Sequence, residues 1–162
     1  MIENVINSQV DETVVVPGSE RDEIHKVIGN WPVKYCFNGN YKEGMLSSVK
    51  CEFRFLPRHF DAALVFPGDQ PMIKPEVTDM IITAYRTSGK GIVVPVFYSK
   101  HSHPLLISHK YPEEITLLDP EQGLKGLARK YSDDVLEVEA GTADILKDID
   151  TEKDYRDELR NI

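Results

Sequence analysis

Apolar residues follow two patterns along the chain, helical spacing and short unbroken runs, and the two patterns alternate. Residues 77–85 place apolar side chains on one helical stripe, and Gly89 follows as a stop signal, which predicts an amphipathic helix. The runs "TVVV", "AALVF" and "GIVVPVF" predict strands, and their continuous apolar character is typical of a sheet that is covered on both faces. The stripe consists of Val77, Met80, Ile81, Ala84 and Tyr85.

The other helices are predicted from the same spacing and from signals at their ends. Ser19 with Asp22 three residues later has the form of a capping box, and Thr151 with Asp154 repeats that form near the C terminus. The segments "VKYCFN", "PLLIS" and "DVLEVEA" predict further strands. The apolar positions of these helices are Ile2, Val5 and Ile6; Ile24, Val27 and Ile28; Met45, Val49 and Phe53; Leu124, Leu127, Ala128 and Tyr131; and Tyr155 and Leu159.

This alternation predicts the fold class α/β, a three-layer domain with a mostly parallel sheet and helices on both faces. The link between "GIVVPVF" and "PLLIS" is too short for a crossover helix, so we expect that pair of strands to be antiparallel. The length of 162 residues fits one domain, residues 1–162. The chain opens with a helix, whereas a doubly wound domain normally opens with a strand and a glycine-rich phosphate turn. We therefore expect the first strand of the sheet to be missing.

The charge and the cysteine content restrict the partners and the location. A net charge of −8 argues against sequence-independent nucleic-acid binding, although a divalent cation could still carry the positive charge for a nucleotide ligand. No apolar run reaches the roughly 18 residues of a membrane span, and the N terminus lacks the features of a signal peptide. We expect a cytoplasmic protein. Cys36 and Cys51 are expected to be reduced thiols that pack in the core.

The candidate chemistry begins at "VFPGDQP", where a predicted buried strand ends in a turn that carries Asp69. Ligands of open α/β sheets bind beyond the carboxyl ends of the strands, and an isolated aspartate there suits Mg²⁺. Asp69 could equally cap the next helix. A second acidic segment, "KDIDTEKDY", alternates Asp148 and Asp150 around Ile149, so that one carboxylate could face a cleft while Ile149 faces the core. Acids before a helix are also favoured by its dipole alone.

Two further features are candidates for ligand contacts. Gly44, Ser47 and Ser48 form the start of a predicted helix, where hydroxyls and backbone N–H groups could receive ribose or phosphate oxygens, or could only cap the helix. His101 and His103 would share a face of a strand, but no third ligand has suitable spacing for zinc. A histidine beside a phosphate or carbonyl-rich substrate is the better functional interpretation. The other histidines, His25, His59 and His109, are expected at the surface.

Five segments of the chain, taken in order, carry a family resemblance: "GMLSSVK", "DAALVFPGDQPMI", "GIVVPVF…HSHPLLIS", "GLKGLARKY…DDVLEVE" and "DIDTEKDY". Together they resemble the MobA-like NTP transferases, most closely the molybdenum cofactor cytidylyltransferase branch. The resemblance implies a nucleotide-diphospho-sugar transferase type of sheet. It also implies a Mg²⁺-dependent reaction that joins CTP to a molybdopterin-type acceptor and releases pyrophosphate.

The resemblance also assigns roles to residues. Asp69 of "GDQP" and Asp150 of "DIDT" would hold Mg²⁺ and form the catalytic pair. Gly44, Ser47 and Ser48 would contact the nucleotide, while Gln70 and His103 would lie beside the acceptor. The family has "GHP" where this chain has "SHP", so that Ser102 replaces a glycine.

The largest departure from the family is at the N terminus, where the family's "LAAGxSxRMGxxK" segment has no counterpart. We expect a protein beginning at Met1 to be a poor or inactive transferase, because that segment supplies an Arg and a Lys to the triphosphate. Two alternatives stay open: a non-catalytic binding protein derived from this fold, and a nucleotidyltransferase for another nucleotide or a sugar-phosphate acceptor. A missing first strand would also leave an unpaired sheet edge, which we expect the chain to cover by self-association, strand exchange or rearrangement.

Overall fold

A computed structural model describes residues 1–160 as seven strands and seven α-helices joined by short turns. The strands are β1 (Val14–Val15), β2 (Lys34–Tyr35), β3 (Ala62–Val65), β4 (Ile92–Phe97), β5 (Lys100–His101), β6 (Leu105–Ser108) and β7 (Val135–Glu139). The helices are α1 (Ile2–Ile6), α2 (Arg21–Ile28), α3 (Met45–Phe55), α4 (Pro75–Ser88), α5 (Pro112–Leu117), α6 (Gly123–Lys130) and α7 (Glu152–Leu159).

The main sheet has β6 at its centre, paired antiparallel to β3 on one side and to β4 on the other. Because β6 is antiparallel to both neighbours, β3 and β4 run in the same direction. On its other side, β4 pairs with β7 in parallel. Three strands of this sheet, β3, β4 and β7, therefore run in one direction, while β5 and β6 run in the other. The predicted antiparallel pairing of "GIVVPVF" with "PLLIS" is confirmed, and β5 forms a hairpin with β4 in the intervening turn.

Helices cover both faces of this sheet, as the continuous apolar runs predict. On one face Ile92 and Ile107 pack with residues of α3, α5 and α6, among them Ile115 and Leu127. On the other face Val93 and Leu106 pack against Ile81 of α4. Alternate residues of each strand thus enter two separate cores, which is why the central strands are apolar at every position.

The strands β1 and β2 form a separate two-stranded parallel sheet. A cavity of about 1050 Å³ is lined both by β1 and by β3, together with residues of α3 and α4. Within residues 1–160, β1 pairs only with β2 and β3 pairs only with β6, so each strand has an edge without a ladder partner. Such unpaired edges expose backbone donors and acceptors.

Several local predictions need correction. The predicted capping box at Ser19 and Asp22 is wrong, because the N-cap of α2 is Glu20 in a left-handed conformation without a side-chain cap. Val27 and Met45 are exposed by 78% and 64%, so they do not belong to the buried faces of their helices. Helix α5 has no counterpart among the predicted helices. The capping box at Thr151 and Asp154 is confirmed.

Gly89 ends α4 in a left-handed conformation, with φ of +71°, as its position in the sequence predicts. Among the described residues, no helix combines the length and the apolar character needed to cross a bilayer.

The start of β4 is held by a cluster around Gly91. The Tyr111 hydroxyl donates to Asp134 Oδ2 at 2.5 Å, and Lys110 Nζ lies 3.6 Å from the same oxygen. Burial opposes ionisation of Asp134, but the hydrogen bonds from Tyr111 and from the Gly91 N–H bring the pKa of this carboxyl below its usual value. A Cβ at Gly91 would lie 2.4 Å from Asp134 Oδ2 and 2.8 Å from the Tyr111 ring. Any side chain at this position would therefore have to displace the Asp134 carboxylate and the Tyr111 ring.

We expect Gly91→Ala to lower the free energy of unfolding by about 2 kcal/mol, because the added methyl must displace the Tyr111–Asp134 pair. Urea denaturation followed by circular dichroism measures this loss. The control is Gly68→Ala, since a Cβ at Gly68 meets no atom within 4 Å. An equal free energy of unfolding for the two variants would show that Tyr111 and Asp134 move aside without loss of stability.

Candidate functional site

The carboxyl ends of β3, β4 and β7 lie at one edge of the main sheet, because these strands run in the same direction. The turn after β3 carries Asp69, and the segment between β7 and α7 carries Asp148 and Asp150. His103 lies two residues before the antiparallel β6, so it is also at this edge. The topology therefore gathers the predicted metal and acceptor residues at the edge where ligands of such sheets bind.

A backbone hydrogen bond joins the two acidic segments. The Ile149 N–H donates to the carbonyl oxygen of Asp69 at 2.8 Å. Beside it, Gln70 Nε2 donates to Asp148 Oδ1 at 2.7 Å. The side chain of Gln70 is buried, whereas Asp69, Asp148 and Asp150 are exposed. The turn after β3 and the segment before α7 are thus held together, with carboxylates of both at the surface.

His103 lies against the same cluster. Burial lowers the pKa of its imidazole, and the nearby cation Lys125 lowers it further, while Asp69 and Asp148 act in the opposite direction. The net lowering favours a neutral ring near pH 7. His103 Nδ1 and Gln70 Oε1 are both buried and have no hydrogen-bond partner among residues 1–160. Such atoms are costly to bury unless a water or ligand pairs with them, so they mark a place where a polar ligand would fit.

Ser102 has a structural role beside His103. Its side chain is buried, and its hydroxyl donates to the backbone oxygen of Ile145. Ile145 itself is fully buried in the short turn Ala143–Leu146. This hydrogen bond therefore joins the turn that contains His103 to the segment that precedes Asp148.

The predicted nucleotide loop is organised by Asn38, which the sequence analysis did not identify. The buried Asn38 amide donates from Nδ2 to Ser47 Oγ at 2.8 Å and to Ser48 Oγ at 3.0 Å, and its Oδ1 accepts from the Asn40 N–H. Its position after β2, at the carboxyl end of a strand, was the available signal. Both serine hydroxyls are thus oriented before any ligand binds.

Gly44 begins α3 with φ of +95°, a backbone conformation that side chains disfavour, and space around its Cα is open. Its carbonyl accepts a hydrogen bond from Ser47 Oγ at 2.7 Å. No side chain caps the first turn of α3, and the Ser47 N–H donates to the Gly44 carbonyl at 3.1 Å.

Two cavities flank α3. The 1050 Å³ cavity is lined by Ser48 as well as by Gly68 and Asp69, so it connects the predicted nucleotide loop with the predicted metal ligand. A second cavity of about 550 Å³ lies on another side of α3, where Ser47 and Asn38 line it together with basic side chains. Those basic side chains are Lys50 and Arg54.

The described residues contain no group of three or more His, Cys, Asp or Glu side chains that could hold a metal ion. A zinc site at His101 and His103 is not supported, since His101 Nε2 instead contacts Glu137 Oε1 at 2.5 Å. Mg²⁺ commonly takes only one or two carboxylates and completes its shell with phosphate oxygens and waters. Metal binding by Asp69 and Asp150 therefore stays a prediction.

A family model, the MobA-like NTP transferase domain, matches residues 1–135. The chain belongs to the MobA-like NTP transferase family. The members of this family are nucleotidyltransferases. A search of curated proteins finds no relative that matches the chain in sequence.

Solved structures agree at the level of the fold. A nucleotidyl transferase from Methanothermobacter thermautotrophicus has a TM-score of 0.80 at 22% identity, covering 99% of this chain and 79% of its own. A Mycobacterium tuberculosis H37Rv protein in complex with manganese has a TM-score of 0.72 at 18% identity, covering 98% and 83%. The 4-diphosphocytidyl-2C-methyl-D-erythritol synthase from Anaerococcus prevotii has a TM-score of 0.76 at 15% identity, covering 99% and 84%.

Glu52 of α3 also lines the 1050 Å³ cavity, among mainly apolar side chains such as Val49 and Leu56. Burial raises the pKa of its carboxyl to about 7. In the unfolded chain this group titrates near 4.5. Because the folded state holds the proton more tightly, the stability that the protonated form provides is lost as the pH rises from 4.5 through 7.

We expect Glu52→Gln to raise the free energy of unfolding at pH 8 by on the order of 2 kcal/mol, with little change at pH 4.5. The amide removes the cost of ionising a carboxyl in this cavity, and access of water through the cavity limits the gain. Denaturation curves at both pH values measure the effect, with the exposed Glu121→Gln as the control. A gain that is the same at pH 4.5 and pH 8 would contradict an effect of ionisation.

Proposed function

We propose that this protein is a Mg²⁺-dependent cytidylyltransferase that joins CTP to a molybdopterin-type acceptor and releases pyrophosphate. The observation that carries the proposal is the paired contact between the turn after β3 and the segment before α7. The bond from the Ile149 N–H to Asp69, with the bond from Gln70 to Asp148, collects acidic and polar groups from distant parts of the chain at the ligand-binding edge. The Anaerococcus prevotii synthase is named after a cytidyl compound, which supports CTP as the first nucleotide to test.

The residues at this edge fit a divalent cation. Asp69 and Asp150 are exposed carboxylates on adjoining segments, and hard oxygen ligands of this kind suit Mg²⁺. The manganese in one structural neighbour supports a divalent ion in this fold. When bound, the ion would neutralise charge on the phosphates of the nucleotide, which the acidic carboxylates alone would repel.

The nucleotide would lie between α3 and the turn after β3. Gly44 leaves the backbone open to a phosphate or a ribose, and Asn38 holds the hydroxyls of Ser47 and Ser48 in fixed orientations. Ser48 and Asp69 line one cavity, so a nucleotide contacting the serine could extend its phosphates toward the carboxylate.

The acceptor would lie beside Gln70 and His103. Gln70 Oε1 accepts hydrogen bonds, and His103 Nδ1 can donate or accept one according to the tautomer of the ring; neither atom has a partner among residues 1–160. An acceptor substrate that has hydrogen-bond donors as well as a phosphate could bind to both atoms. In the reaction, a phosphate oxygen of the acceptor attacks the α-phosphorus of CTP, and the bond to pyrophosphate breaks. These residues would orient the acceptor, which is the main protein contribution in such transfers.

We expect Asp69→Asn to weaken Mg²⁺-dependent binding of CTP at least tenfold in isothermal titration calorimetry, because the amide is a poorer ligand for a hard cation. Asp133→Asn is the matched control, since Asp133 is an exposed aspartate at the opposite edge, before β7. The control should bind like the unchanged protein. Equal weakening in both variants would show a general effect of charge rather than coordination.

The same titration with GTP and ATP separates the proposal from its alternatives. Tighter binding of another nucleotide would replace the cytidylyl assignment within the same reaction class. If no nucleotide binds in the presence of Mg²⁺, the proposal fails and the non-catalytic interpretation stands.

A further inference from the structure

Two thiols meet where the small sheet contacts α3. Cys36 follows β2 directly, and Cys51 lies in the middle of α3. Their Sγ atoms are 3.1 Å apart, and each sulfur also lies near a backbone oxygen of the other segment. A disulfide has an S–S distance of about 2.04 Å, so the two sulfurs need to approach by roughly 1 Å to bond.

The two cysteines belong to different parts of the fold. The Cys36 N–H donates to Val15 O at 3.0 Å, which fixes this residue to β1 in the small sheet. Cys51 lies between Val49 and Phe53, which are buried in the core of the main sheet. A bond between the sulfurs would therefore fasten the small sheet covalently to the helix that packs on the main sheet.

Both cysteines are half-buried, and both line the 550 Å³ cavity. Asn38 and Ser47, which are joined by a hydrogen bond, line the same cavity within four residues of the cysteines. A small reagent can thus reach the sulfurs through the cavity, and a bond between them would hold one of its walls.

We propose that Cys36 and Cys51 form a reversible disulfide site that locks the small sheet onto α3. The oxidant is a small-molecule disulfide. The thiolate of one cysteine attacks one sulfur of the oxidant, forms a mixed disulfide and releases one thiolate. The other cysteine then gives up its proton to water and attacks the sulfur of the first, which releases the second thiolate. The protein loses two electrons and two protons, and the oxidant is reduced to two thiols.

The surroundings of the thiols affect the rate of the first step. Burial, together with the hydrogen bond and charge of Cys51, raises the pKa of Cys36. The thiolate is the reactive form, so a raised thiol pKa slows the attack near neutral pH. Once one thiol of the pair is in a mixed disulfide, the other sulfur is already adjacent to it.

The experiment treats the purified 162-residue chain with oxidised glutathione and then labels free thiols with N-ethylmaleimide. We expect intact mass spectrometry to show a monomer without maleimide or glutathione, lighter by the two hydrogens lost, and peptide mapping to link the peptides of Cys36 and Cys51. The cross-link should raise Tm by about 5 °C, because it closes a loop of 15 residues, and dithiothreitol should reverse the rise. These measurements do not depend on nucleotide binding.

Two variants test the second step. Cys36→Ser should accumulate a glutathione adduct on Cys51, because no second thiol can displace it. Cys51→Ser should accumulate an adduct on Cys36 for the same reason. Glutathione on both cysteines, two maleimide labels after complete equilibration, or disulfide-linked dimers would each overturn the proposal. A cross-linked monomer with unchanged Tm would overturn the claim that the bond locks the small sheet onto α3.

Discussion

The main sheet depends on the pairing of β6 with β3 on one side and with β4 on the other. Since β6 is reversed, this double pairing makes β3 and β4 parallel although they are not adjacent. It therefore brings their carboxyl ends, and that of β7, to one edge. It also places His103, at the start of β6, among the loops that leave the other strands. The reversed direction of β6 is what places His103 near Asp69, because the amino end of β6 lies beside the carboxyl end of β3.

The candidate site is then completed by hydrogen bonds rather than by charge pairing. Backbone contact between Ile149 and Asp69, and the side-chain contact between Gln70 and Asp148, hold two acidic segments together despite their like charges. Exposure of the carboxylates to water keeps that repulsion small. Stable folds rarely leave buried polar atoms without a hydrogen-bond partner, as Gln70 Oε1 and His103 Nδ1 are here among residues 1–160. These two atoms lie beside the carboxylates, at the predicted acceptor site.

Around α3 the fold is less tightly closed. The small sheet is separated from β3 by the large cavity, and its contacts with α3 include the paired thiols and the Asn38 amide. The same helix thus contributes to the main core, carries the serines of the predicted nucleotide loop and places Glu52 in the cavity. The junction of α3 and the small sheet therefore contributes to the walls of both cavities.

Local periodicity and short-range hydrogen bonds define the α/β class, the helices on both faces, the stop at Gly89 and the cap at Thr151, so these features are predictable from the sequence. The end of a buried strand likewise points to Asp69 as a candidate. Contacts made in the folded chain are needed to explain why Met45 is exposed, why Asn38 orients the serines and why Cys36 meets Cys51. Those outcomes depend on contacts between segments that are distant in the chain, and residue spacing carries no information about which distant groups will pack together.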